Sequence, residues 1–137
     1  MGSFRNVIVC EDLREELGYK KSLMGIFTGD IVVSQFPATV PLAFYIEYMP
    51  DKSDTDEISF EFRLMQDDAE MAKGIAAAPL APSQVAVIVL PRGLGTFDKE
   101  CNFRLLVSVA GSSETEIVSK RIIKGVVISS TIAPAQP

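Results

Sequence analysis

Four carboxylates crowd one short stretch near the start of the chain. Glu11, Asp12, Glu15 and Glu16 all fall within "CEDLREELGYKK". Paired carboxylates can divide acid and base duties between them, as in glycoside hydrolysis. Clustered carboxylate oxygens can also hold a hard cation such as calcium. A second acidic group follows in Asp51, Asp54, Asp56 and Glu57. A helix–loop–helix calcium loop would need a glycine after its alternating ligands and a distant glutamate, and only "DTD" fits that pattern. Glu11, Asp12, Asp54 and Asp56 are therefore the candidate cation ligands. Against this stands a plainer explanation, since Arg14, Lys20 and Lys21 lie beside the first cluster. Opposite charges paired across a hairpin stabilise it by about 0.2–1 kcal/mol per pair and need no ligand. Loop solubility is the better explanation of the second cluster. The expectation is no catalytic residue and no cofactor.

The rest of the chain offers little chemistry. It has no histidine, which excludes Ser-His and Cys-His triads and removes the commonest proton shuttle near neutral pH. The two cysteines, Cys10 and Cys101, show no metal-ligand spacing and read as buried, reduced thiols. Gly93 and Gly95 lie in "PRGLGTF", but a strand-like run follows instead of the helix N-terminus a phosphate loop needs. Lys120, Arg121 and Lys124 form a solvated face or a modest anion patch. Tyr19 and Tyr45 are candidate partner anchors, because tyrosine is enriched at binding hot spots.

With 137 residues, 47% of them hydrophobic and 23% charged, one globular domain is expected. A single domain over 1–131 and a frayed tail over 132–137 fit the proline-containing "TIAPAQP" end. The net charge of −5 argues against nucleic acid, whose phosphates reward Lys and Arg, and against anionic membrane surfaces. No apolar run approaches the length of a membrane span, and "MGSFRNVIVC" is too short for a secretory signal. A cytoplasmic setting is expected.

Strand signals dominate the pattern. "ISFEFRL" (58–64) turns Ile58, Phe60, Phe62 and Leu64 to one side. "FRLLVSV" (103–109) does so with Phe103, Leu105, Val107 and Val109, and "LAFYIEY" (42–48) with Leu42, Phe44, Ile46 and Tyr48. "VAVIVL" (85–90) reads as a strand buried on both faces; 30–36 and 121–129 are also strand-like. "TGD" (28–30) reads as a tight turn, and "LPRGLGTFDKE" (90–100) as an irregular connection. The polar loop 49–57 and the "AGSSET" loop (110–115) each read as the tip of a hairpin. The segment 67–83 is assigned as irregular, a helix over Ala69–Lys73 being weakened by Gly74, Pro79 and Pro82. Within 10–27 a helix from Glu11 to Leu17 would have barely two turns, so two antiparallel strands joined near Gly18 are preferred. The fold expected is all-β: a single antiparallel β-sandwich, immunoglobulin-like, of about seven or eight strands, with a small closed barrel as the alternative.

Residues 7–33 carry one further signal. Cys10, Glu11, Asp12, Arg14, Glu15, Gly18, Lys21, Ser22, Leu23 and Gly25 together resemble the opening of an uncharacterised domain family of bacteria and their phages, and "FPATVPLAFYIEY" is similar to that family's entry into its next strand. Tyr19-Lys20 departs from it where a second glycine would be more usual. The resemblance implies a bacterial or prophage source and no catalytic residues. The function expected is a small non-enzymatic binding or structural module that meets a protein partner or itself. An accessory or inhibitor protein docking on a host protein, and a calcium- or carbohydrate-binding sandwich, are the alternatives.

Overall fold

A computed structural model of the chain describes residues 2–52, 54, 57–81 and 84–125. Asp56, the end of the strand-like run 121–129 and the tail 132–137 lie outside the described residues. Nine strands are formed there: β1 (Ser3–Glu16), β2 (Lys20–Ile26), β3 (Ile31–Val33), β4 (Ala38–Met49), β5 (Glu57–Gln66), β6 (Ala69–Pro79), β7 (Ala86–Phe97), β8 (Cys101–Val109) and β9 (Thr115–Lys124). Strands make up 74% of the described residues and no helix occurs among them, which removes the helical options at Glu11–Leu17 and Ala69–Lys73.

Two sheets pack face to face. One runs β2-β1-β4-β7, and the other, curled into a half-barrel, runs β3-β9-β8-β5-β6. Alternation explains the core. Leu42, Phe44, Ile46 and Tyr48 from β4 meet Phe60 and Phe62 from β5 and Phe103, Leu105 and Val107 from β8, all buried. Aromatic rings tie the layers together: Phe44 stacks on Phe103 at 6.1 Å, and Tyr48 meets Phe60 edge-on at 5.1 Å. Such pairs add about 0.5–1.5 kcal/mol beyond their area burial.

Several expectations need correction. Strands total nine among the described residues, because 69–79 is a strand and not irregular. Its small residues and Gly74 suit a sheet edge, and it pairs with β5 from Gln66↔Ala69 to Glu57↔Pro79. Asp67, at φ 51°, makes the tight turn into it, a conformation aspartate tolerates. The sheets are not wholly antiparallel, since β3 runs parallel to β9. Residues 90–97 continue β7 and are no irregular connection; only the register slips beside Pro91. The loop after Met49 joins different sheets and makes no hairpin. Within 30–36 only Ile31–Val33 is strand, and 28–30 is a bend without a tight turn. The 85–90 run is not buried on both faces, because β7 is an edge strand with Val87 exposed. The β8–β9 hairpin around 110–115 forms as read.

The β1–β2 hairpin also forms as read, with Glu16 opposite Lys20 across Leu17-Gly18-Tyr19. Gly18 and Tyr19 both take positive φ, at 79° and 61°. β1 changes partners midway: Ser3 to Cys10 pair with β4, whereas Cys10 to Glu16 pair with β2. Past Cys10 the hairpin folds back as an arm across the outer face of its own sheet. β1 consequently touches β7, although β4 stands between them. Tyr19, Lys21 and Leu23 of the arm share a cleft with Tyr45, Val85 and Val87. The cover also explains a break in alternation. Cys10 and Ala43 point outward from the sandwich, yet both are fully buried.

Candidate functional site

The acidic residues singled out from the sequence do not converge. Glu15 pairs with Lys21 at 3.2 Å, Glu16 accepts from the Ser22 hydroxyl at 3.1 Å, and Asp12 accepts from the Leu13 amide at 2.8 Å. Glu11 fills the space beside Gly25. Asp54 accepts from the Tyr48 hydroxyl at 3.0 Å and from the Asp51 amide at 2.7 Å. Among the described residues no three Asp, Glu, Cys or His side chains lie close enough to hold a metal ion. The basic cluster is also engaged. Arg121 pairs with Asp30 at 2.7 Å, and Lys120 donates to the Gly29 carbonyl at 3.1 Å. The Arg121 guanidinium holds the Asp30 carboxyl below its ordinary range. Gly93 and Gly95 lie within β7, where Gly95 leaves room for the Phe97 ring and Leu42. Both cysteines are buried and free, and burial pushes each thiol above its ordinary value.

What the structure does bring together is a strip along β7. Among the described residues β7 ends its sheet and has no hydrogen-bonded neighbour on its outer side. Natural edges are usually guarded by charge, shortness or proline. β2 begins with Lys20 and Lys21, β3 has three residues, and β6 carries Lys73 in its middle, paired with Glu61 at 2.9 Å. β7 opens with Ala86-Val87-Ile88-Val89-Leu90, an uncharged stretch, before Pro91 and Arg92. In an antiparallel ladder alternate residues turn their N–H and C=O away from the paired strand. Along this stretch no strand among the described residues is hydrogen-bonded to those groups.

Two features flank the edge. At its start stands the arm tip, with Leu17 94% and Tyr19 101% exposed, beside Val85 and Val87. Farther on, the sandwich opens between the start of β6 and the second half of β7, although the two strands touch elsewhere. A cleft of about 480 Å³ lies between them, lined by Leu42, Phe44, Leu64, Met71, Leu90 and Leu94 among others. Leu64, Met71 and Leu90 pack on the core from this cleft and stay partly exposed. Below the arm, the Tyr45 hydroxyl donates to Glu47 at 2.6 Å, and the Asn6 amide donates to the same carboxylate at 2.7 Å. The Tyr45–Glu47 bond, with burial, pushes the Tyr45 phenol up to about 12.

Of the two tyrosines picked from the sequence, Tyr19 belongs to this strip and Tyr45 lies under the arm. The β7 edge was hidden by its own composition, because an uncharged β-branched run reads as interior. The signal that exposes it is Pro91, which has no N–H for a ladder and marks edge strands.

No protein-family model matches the chain, and neither a curated protein nor a solved structure does.

Proposed function

We propose that the protein is a small non-enzymatic binding module that accepts an extended strand along β7. One observation carries this reading: the uncharged Ala86–Leu90 part of an edge strand opens directly onto an apolar cleft that reaches the core. Strand addition draws affinity from main-chain hydrogen bonds and specificity from pockets that take alternate side chains. Here the incoming strand would set alternate side chains into the Leu64–Met71–Leu90 cleft and the others beneath Leu17 and Tyr19. Its ideal sequence alternates β-branched or aromatic residues and carries an acid near Arg92.

The same reading accounts for the topology as immunoglobulin-like. The order β9-β8-β5 corresponds to strands G, F and C, β6 to the added strand C′ of variable-type domains, and β4-β7 to the adjacent B and E. In that scheme strand D would lie beside β7, the place left open here. The β1–β2 arm is an addition to the scheme, on the side of strand A. Two buried free thiols suit a reducing compartment, in keeping with a bacterial cytoplasm. No helix is long and apolar enough to cross a membrane among the described residues.

Selection from a random peptide library against the immobilised protein tests the reading. Enriched peptides should alternate apolar residues, shift backbone resonances of 85–94, and lose binding to Val87→Lys. Enrichment of no peptide, or shifts mapping to another face, would overturn it.

A further inference from the structure

We infer that the strand β7 accepts is the β7 of a second copy, the two running antiparallel about a two-fold axis at Ile88; this rests on the reading of β7 as a strand-accepting edge. Self-complementarity carries the argument. A two-fold interface sets the same patch against itself. Centred on Ile88, Val87 meets Val89 and Ala86 meets Leu90, each twice, with no charge among them. One step out, Val85 meets Pro91, and beyond that Gln84 meets Arg92, so no like charges are opposed. Pro91 ends the ladder where the cleft begins.

The arm fits the same axis. Tyr19 stands beside Val85 and Val87, at the start of the edge. Antiparallel pairing lays that end of one copy against residues 89–91 of the other, at the mouth of the other's cleft. Leu17 and Tyr19, on the outer face, thereby come to lie over Val89 of the other copy. Charge agrees as well. Glu16 adjoins Leu17, Arg92 adjoins Pro91, and neither enters an ion pair among the described residues. The dimer brings Glu16 of each copy toward Arg92 of the other. Two tyrosines at about 150–250 Å² each, two leucines and the paired edges together approach the roughly 1,200 Å² at which specific interfaces begin. The dimer is therefore small and concentration-dependent.

Sedimentation equilibrium of the full chain, followed across the micromolar range, tests the assignment. The wild type should dimerise, Val87→Lys should weaken the dimer at least tenfold, and Val87→Thr should leave it near wild type. Mild oxidation of a mixture of Val87→Cys and Val89→Cys should give a disulfide-linked dimer more readily than either variant alone, which holds even if Val87→Lys fails to fold. A wild type that stays monomeric yet binds the selected peptides overturns the second copy and leaves the strand-accepting edge standing. A dimer insensitive to Val87→Lys, with no preference for the mixed cross-link, also overturns it. A chain that neither dimerises nor binds peptides overturns both.

Discussion

Glu11 stands across the β1–β2 hairpin from Gly25, its side chain occupying the space where a Cβ on that glycine would go. Gly25 also holds φ at 66°, a left-handed value that costs an ordinary residue about 1–2 kcal/mol. The two residues sit where the arm leaves β4 and turns back over the sheet. Cys10 and Asp12 belong to the same bend, the Cys10 thiol donating to the Asp12 carbonyl at 3.2 Å. Cys10, Glu11, Asp12 and Gly25 thus form the joint of the arm.

Gly25→Ala should cost about 2–3 kcal/mol, part of it from φ and part from the clash with Glu11. In a Glu11→Ala background the same change should cost about 1 kcal/mol less, because the clash is gone. Chemical denaturation of the four variants measures the difference. Equal costs in both backgrounds would deny the contact.

Tyr45 should ionise well above the ordinary tyrosine range. Its raised phenol value comes first from donating to Glu47 and then from burial. The contribution of this bond to stability is fully present below the unfolded tyrosine value near 10 and is lost as pH rises through about 12. Glu47 moves the other way, lowered first by Tyr45 and then by Asn6. Its share is present above the ordinary glutamate range and lost as pH falls through its depressed value. Ultraviolet titration of wild type and Glu47→Gln checks this, and the variant should bring the Tyr45 transition down.

Asp54 should act as a loop pin. Tyr48 is fully buried, and its hydroxyl accepts from the Gly2 amide at 2.8 Å while donating to Asp54. Asp54→Ala removes that acceptor and the one for the Asp51 amide, at a cost of about 1–3 kcal/mol. Thermal melts with added calcium and with a chelator should coincide for the wild type. A rise in melting temperature with calcium would restore Asp54 as a cation ligand.

Cys10 and Cys101 should resist thiol reagents at neutral pH while the chain is folded. Both are buried with raised thiol values, and only the thiolate reacts. Labelling should track unfolding for both. Fast labelling of Cys10 alone would show that the arm lifts from the sheet, since that thiol lies beneath it.

Much of the fold was legible because alternation is a strong signal where one face is buried. Phe60, Phe62, Phe103, Leu105 and Val107 fall inward as their spacing requires. The hairpin at Gly18 followed from charge and turn chemistry. β6 was missed because its alanines and Gly74 carry little pattern, and its pairing with β5 decides the matter. The half-buried side of "AVIVL" was illegible for the opposite reason: a run without polar residues cannot say which face, or which edge, meets solvent. The arm lay beyond any local signal, because its bend depends on Glu11 and Gly25 meeting across two strands.

Amide hydrogen exchange along β7 tests the central claim most directly. In dilute protein, alternate amides of Ala86–Leu90 should exchange fast, because they point away from β4, while their neighbours stay protected. Adding a selected peptide, or raising the protein concentration, should slow those fast amides and leave the edges of β2 and β6 unchanged. Protection of every Ala86–Leu90 amide in dilute protein, or exchange that neither peptide nor concentration slows, would contradict the account.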